Sequence, residues 1–507
     1  MEPFTYFLPS ALNQKKLLKK FPSDRQYSLS LEKTEEWQGE LLDTFEEKML
    51  SNGKMLFQVE ERLICFDLKS GQLIDQVLPE TWSFSTDLPE GPVTSMLKEI
   101  TLLRAFLPVA KLELLLQHGT LLDDERKTRA RLHNLTLSCG GKTVCVGSTQ
   151  HLRGYDQAHA DLCQSLKIIG AALCRDVGQV YDSLKVKREK YTSKPVVTLN
   201  PDAPVKESAQ TIINAFLKIS RRNEKGIIAD CDTEFLHDYR VSLRKVRSVL
   251  SLFKGVYAPE DTDRLKQDFA SLMQKTNSLR DLDVYLLNKK KYFELVPEDT
   301  HEGLEILFNY FAEERKKEQK RVSQIIKSKT YLKEIGRLQK LFAEGASLVA
   351  GPKGEEKSLA FACKSILKRY DKVCKIARSI DDETEDETVH QLRINCKKLR
   401  YLIEFFAPIF PEDEIKSLIK SLKVLQDNLG NFNDYSVQQE FLRQVLNEKM
   451  GGFGGAELKV AESVGALTAM LNRLQQKERR QVMKNFALFD SSETRATLVK
   501  LFNTEET

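Results

Sequence analysis

Several features are missing from this chain of 507 residues, and each absence narrows what it can be. No apolar run approaches the length of a membrane span, so no membrane partner is expected. The opening Met-Glu-Pro-Phe-Thr-Tyr lacks the basic-then-apolar order of a signal peptide. The nine cysteines are odd in number and form no pairs at zinc-ligand spacing. A reducing cytoplasm is the simplest compartment for such thiols. No P-loop, Gly-x-Gly-x-x-Gly or His-Glu-x-x-His stands in a suitable context, so neither a cofactor nor a metal is expected.

What is present is ordinary in bulk. A hydrophobic share of 41% beside 30% charged residues suits a globular chain. The length is too great for one core, so two or three domains are expected. The net charge of +5 is modest, and its distribution is more telling than its sum.

Residues 1–190 read as a mixed domain of strands and helices. Lys54–Val59 is one expected strand. Leu63–Val77 is a second run, split by Ser70-Gly71. Leu112–Leu116, Leu132–Cys139 and Thr143–Val146 are further strands, with Gly140-Gly141 as a hairpin turn. Leu162–Leu184 has a helical pattern. Residues 191–206 carry three prolines and no helical period, which marks a linker. From 207 onward the apolar period becomes that of helices. A break at Ala350-Gly-Pro-Lys-Gly divides the helical part into 207–348 and 357–507. Expected helices include Leu282–Lys291, Glu412–Asn428, Tyr435–Lys449 and Lys459–Phe486, with Gly451-Gly-Phe-Gly-Gly as a flexible joint. The fold class is therefore an α+β domain followed by an all-α domain.

The two helical halves repeat each other. His237-Asp-Tyr-Arg240-Val-Ser-Leu-Arg244-Lys245-Val-Arg247 returns, 153 positions on, as His390-Gln-Leu-Arg393-Ile-Asn-Cys-Lys397-Lys398-Leu-Arg400. Leu250, Phe253, Leu272, Asp281 and Val284 map at the same offset onto Ile403, Phe406, Leu425, Asp434 and Val437. Register held over that distance is internal duplication.

What repeats includes a polar stripe that packing does not require. At about 100° per residue, His237, Arg240, Arg244 and Arg247 share an arc of roughly 80° on one helix. His390, Arg393, Lys397 and Arg400 match them, with Lys245 and Lys398 to one side and Tyr401 following. Leu243, Val246, Leu250 and Phe253 form a separate apolar face. Solvated helix faces interleave acids with bases four apart. Here Asp238 is the only acid between Leu236 and Lys254, and residues 390–403 contain none. Like charges so placed repel, which points to an anionic partner. Arginine supplies a donor fork for phosphate oxygens, lysine a point charge, and histidine a donor that charges near neutrality. Two rows of such groups suit a long, dense polyanion.

More cations are expected to join the rows: Lys218 and Arg222 in the first half, and Lys368, Arg369 and Lys372 in the second. Arg315, Lys316, Lys320, Arg321, Lys477, Arg480 and Lys484 have acidic neighbours in part, and about half read as solvated faces. Asp281 and Asp434 read as structural acids that cap a helix or pair with an arginine. The acidic run from Asp381 to Glu387 reads as decoration of a helix N-terminus.

On these residues the region 207–507 resembles a CHAD domain. The resemblance is carried by the doubled motif with Tyr401 and by Leu279-Arg-Asp-Leu-Asp-Val, from which Phe432-Asn-Asp-Tyr-Ser-Val departs. It implies two pseudo-symmetric four-helix bundles with a basic groove or pore, and binding of inorganic polyphosphate. Such domains often follow a CYTH domain, a triphosphate-hydrolysing barrel. The order Glu99-Ile-Thr-Leu-Leu-Arg104, Gly119-Thr-Leu-Leu-Asp-Asp, Leu152-Arg-Gly-Tyr resembles one in degenerate form. The Glu-x-Glu-x-Lys strand of that family has no counterpart. Glu60-Glu61-Arg62, taken as strand, would point its carboxylates to opposite faces.

The expectation is a non-enzymatic, cytoplasmic polyphosphate-binding protein, with polyphosphate granules as a place of association. Binding RNA on the same surface is the alternative. Only Tyr239 and Tyr401 offer aromatic rings near the stripes, which argues against nucleic acid. A polyphosphate- or triphosphate-processing enzyme working through residues 1–190 is a third class.

Overall fold

The computed structural model describes residues 3–22, 27–32, 35–188, 190–344, 348–381 and 383–503. The chain divides into two compact units, residues 1–192 and 193–507.

The first unit is built on an antiparallel sheet. Its strands are β1 (Thr5–Leu8), β2 (Ser28–Leu31), β3 (Glu35–Asp43), β4 (Lys54–Val59), β5 (Arg62–Asp67), β6 (Gln72–Val77), β7 (Leu107–Leu122), β8 (Thr128–Cys139), β9 (Lys142–His151) and β10 (Ala172–Leu173). They lie in the order β10-β1-β9-β8-β7-β3-β4-β5-β6, and β2 pairs with β7. The β8–β9 hairpin turns at Gly140 and Gly141, whose φ values of 54° and 75° only glycine adopts freely. Short helices α1 (Gln14–Leu18), α2 (Lys48–Ser51), α3 (Pro92–Lys98), α4 (Asp156–Ile168) and α5 (Val177–Ser183) accompany the sheet. Apolar side chains such as Phe57, Phe66, Leu114 and Tyr181 fill one core, and Tyr6, Leu132 and Leu162 belong to a second.

Two expectations change here. The pattern over Leu162–Leu184 is two helices rather than one, interrupted at Gly170 (φ 105°) by β10. Glu60 and Glu61 do not lie on a strand. They form the turn of the β4–β5 hairpin, where Val59 faces Arg62 and Glu60 is left-handed at φ 48°. Arg104, in the first of the three segments compared with the CYTH order, is buried and ion-paired with Glu46 at 2.5 Å.

The second unit is helical. Its first half contains α6 (Val205–Ala229), α7 (Thr233–Leu252), α8 (Pro259–Gln274), α9 (Asn277–Leu287), α10 (Lys289–Leu295), α11 (His301–Lys327) and α12 (Lys329–Glu344). The second half contains α13 (Ser358–Ala377), α14 (Asp386–Phe406), α15 (Glu412–Lys449), α16 (Glu457–Arg479), α17 (Val482–Phe489) and α18 (Ser492–Phe502). Helix α15 runs unbroken where two helices were expected. Leu425, Leu429 and Phe432 keep its apolar stripe buried straight through the junction. The reverse holds for Leu282–Lys291, which divides at Asn288 into α9 and α10, and for Lys459–Phe486, which divides at Arg480–Gln481 into α16 and α17.

The duplication is visible as a pseudo-twofold axis. Val205 N donates to Glu356 O at 2.8 Å, and Ser358 N donates to Ala203 O at 2.9 Å. Each bond maps onto the other by the sequence offset, as a twofold contact requires. Lys206 N to Gly354 O and Leu359 N to Pro201 O form a second such pair. At the ends of α7 and α14, Phe253 and Phe406 stack on each other with centroids 4.9 Å apart and planes 7° from parallel. The halves also share a core: Tyr285, Leu307 and Phe311 of α9 and α11 pack with Leu442, Val464 and Leu467 of α15 and α16.

Candidate functional site

The two motif helices meet in this arrangement, and their stripes supply the site. Helix α7 begins at Asp232, whose carboxylate caps the backbone of Glu234 and Phe235. Leu236, Tyr239, Leu243, Val246 and Leu250 are buried on its core side. Asp238, the lone acid of that helix stretch, is buried as well. Helix α14 buries Leu392, Cys396, Leu399 and Ile403 in the same way. Packing therefore holds both polar stripes in place.

Arg244 stands at the junction. It is exposed, and its side chain makes no hydrogen bond or ion pair with the described residues. Its charge acts on groups from both copies: Arg240 and Arg280 in the first, Arg393, Lys397 and Tyr401 in the second. Burial, with the neighbouring cations, lowers the protonation constants of Arg240, Arg280 and Arg393. Burial and the Arg393 and Arg244 cations push the Lys397 amine down to about 8. The Nη1 of Arg280 and the Nε of Arg393 are buried with no acceptor among the described residues. An unmet buried donor costs about 1–3 kcal/mol.

The remaining members of the stripes have other work. Arg240 Nη1 donates to Met273 O at 2.9 Å and Thr276 Oγ1 at 2.7 Å, which ties α7 to the end of α8. His390 Nδ1 sits 2.8 Å from Asn433 Oδ1. That amide oxygen only accepts, so Nδ1 carries the proton and Nε2 is the nitrogen left to meet a ligand. His237 is half-buried and engaged with its surroundings. Asp434 lies 3.7 Å from Arg393, and Asp281 stands beside Arg240 and Arg280.

Two expected ligands are taken up by an acid just beyond the stretch counted as acid-free. Glu404 accepts from Lys245 Nζ at 2.7 Å and from Arg400 Nε at 2.6 Å. Burial opposes its ionisation, yet the two cations hold its carboxyl below the ordinary value. Lys245 also lies over the rings of Phe216 and Tyr401, at 5.2 and 5.7 Å. Arg247 leans on α8, with Nη1 3.7 Å from Met273 Sδ.

Lys398, Arg369 and Lys372 form a separate group, with Lys254 beside them. Arg369 Nη1 donates to Asn395 Oδ1 at 2.7 Å. Lys218 and Lys368 are exposed on α6 and α13, and Arg222 is half-buried and engaged. Among the later cations, Arg315 is held by Asp230 and Asp283, Lys316 by Glu313 and Arg321 by Glu318. In the acidic run, Asp386 accepts from Arg479 at 2.7 Å and Gln475 at 3.0 Å, joining α14 to α16. Asp382 lies outside the described residues.

Arg280 was not among the expected ligands. It lies in the Leu279-Arg-Asp segment, and its counterpart in the second copy is Asn433. A search confined to one helix stripe passes over it, because α9 brings it in from the side.

The protein is thus defined by a duplicated helical unit with convergent cations along its pseudo-dyad. The family model of the CHAD domain matches residues 211–443. The part of the helical unit that matches, residues 211–443, is thus similar to the CHAD domain, a family associated with polyphosphate binding. A crystal structure of the CHAD domain from the plant Ricinus communis is similar, at 25% identity and a TM-score of 0.47, over 60% of this chain and 95% of that one. PptA from Streptomyces chartreusis is similar at 13% identity and a TM-score of 0.44, over 56% of this chain and 99% of that one. No curated protein sequence matches the chain.

Proposed function

We propose that the helical unit binds inorganic polyphosphate at the cluster of Arg240, Arg244, Arg280, Arg393 and Lys397, with His237 and His390 at its ends, and does not turn it over. The observation that carries this reading is the convergence around Arg244. Burial and the charge of Arg244 together depress the protonation of Arg240, Arg280, Arg393 and Lys397 there, and two buried guanidinium donors lack an acceptor among the described residues. Such a cluster is unfavourable by itself and becomes favourable when phosphate oxygens accept from it. A linear polyanion satisfies several of these donors at once. The family association points to the same ligand. The cluster offers donors and positive charge, which is the chemistry of binding rather than of hydrolysis.

Titration of the full chain with long-chain polyphosphate at low salt, read by calorimetry, is the test. Arg244 and Lys397 make no ion pair with the described residues, so Arg244→Ala with Lys397→Ala is the informative variant. It is expected to lose affinity by tenfold or more, since each hydrogen bond to a charged group is worth about 1.5–3 kcal/mol. Undiminished binding by that variant, tighter binding of RNA than of polyphosphate, or phosphate release during the titration would each overturn the reading.

A further inference from the structure

The two copies treat the same position in opposite ways. In the first, Lys245 is neutralised by Glu404 and covered by Phe216. It forms part of the wall of a cavity of about 320 Å³, shared with Ile212, Phe405, Pro195 and Pro408. In the second, the equivalent residue is Lys398, and its neighbours are Arg369, Lys372 and Lys254. The sequence offset pairs these surroundings one by one. Phe216 corresponds to Arg369, Ile219 to Lys372, Ala407 to Lys254, and Glu404 to Ser251. All four differences run the same way, toward an apolar or neutral site in the first copy and a cationic one in the second. Lys254 and Lys372 are exposed, and neither has an ion-pair partner among the described residues. Drift after duplication gives differences of mixed sense, and packing does not call for four cations together.

We infer that the bound polymer leaves the central cluster on one side only, over Lys398, Arg369, Lys372 and Lys254 of the second copy. The inference rests on the polyphosphate reading and gives the site a direction. Lys397 and Lys398 are consecutive on α14 and about 100° apart around it. A chain held at Lys397 therefore reaches the second group by crossing the flank of that helix. The first copy offers no matching exit, because its lysine is already paired with Glu404 and walled by Phe216. A short polyphosphate fills the central cluster, and a longer one also occupies the extension.

Calorimetric titration with tripolyphosphate and with long-chain polyphosphate tests this at one fixed salt concentration. The measured quantity is the ratio of the two Kd values, per chain, for wild type and for Lys254→Glu with Lys372→Glu. Both changes are on exposed side chains, and a second variant, Lys398→Ala, carries no charge reversal. The preference for the long chain is expected to fall by about tenfold in the first variant and severalfold in the second, about what a lost charge-assisted contact supplies. An unchanged ratio in both variants, with tripolyphosphate still bound, overturns the one-sided path and leaves the central site standing. If wild type binds neither ligand, the polyphosphate reading itself fails.

Discussion

Lys397, in the proposed site, carries a charge that works against the fold. Its amine is pushed down to about 8 by burial and by Arg393 and Arg244, whereas an unfolded lysine titrates near 10.4. Between those values the unfolded chain holds more protons, so the stability tied to this residue rises with pH. Polyphosphate affinity, on the proposed reading, is expected to move the opposite way and to fall as pH climbs through 8, because the amine loses the charge the ligand needs. Lys397→Met is expected to raise the melting temperature at pH 7 by a few degrees, weaken polyphosphate binding, and flatten the affinity profile between pH 7 and 9. Thermal unfolding and titrations across that range check all three. Spacing alone put Arg240 and Arg244 on one stripe and Arg393 and Lys397 on the other, and the meeting of α7 and α14 brings the two stripes together. Spacing places Glu404 one turn beyond Arg400 on α14, but it did not reveal that Glu404 also takes Lys245, which belongs to α7. Arg280 escaped for the same reason.

At the scale of elements, the contact between α7 and α14 governs whether the two stripes face one another. Phe253 and Phe406 are 2% and 0% exposed and stack across the pseudo-dyad. Phe361 and Phe405 surround them. Phe253→Ala leaves a cavity at that junction and is expected to cost about 3–5 kcal/mol, measured by denaturant unfolding. Because the cavity lies at the meeting point of the copies, affinity for long polyphosphate is expected to drop as well, although no cation has been removed. A stability loss without any change in affinity would show that the stack does not set the geometry of the cluster. Helix ends were legible where capping chemistry marked them, as Asp232 does for α7. Helix breaks were harder. The glycine and asparagines between Asn428 and Asn433 suggested an interruption that Leu429 and Phe432 override by staying buried in α15.

For the whole molecule, the governing quantity in the proposed binding is the number of cations that would meet the polymer together. The central cluster brings five. Single-stranded polyanions lose affinity with a slope of roughly 0.7 in log K per log salt for each phosphate neutralised. A slope of about −2 is therefore expected for tripolyphosphate, whose three phosphates set the limit, about −3.5 for a longer chain that meets all five central cations, and a steeper one for chains that also reach Lys254, Lys372 and Lys398. Affinities measured from low to physiological salt give the slope directly. A value near −1 would mean that the cations act singly and that the convergence has no energetic consequence. The antiparallel sheet of residues 1–192 is a separate compact unit. Its strands β4–β9 could be read from alternation and turns. Strands β1, β2, β3 and β10 are short or weakly patterned and take their place only by pairing with distant strands.

The sequence by itself determined the duplication, the helical character of residues beyond the linker, and the presence of a cationic stripe beside each core face. These follow from periodicity, which is a local property. Only the tertiary structure decided which cations remain free. Electrostatic pairing depends on distance in space, so Glu404 could silence the first copy's lysine from across the pseudo-dyad while Lys398, at the equivalent place, stayed among cations. Two halves alike in pattern became unlike in charge because the fold gave their matching residues different neighbours.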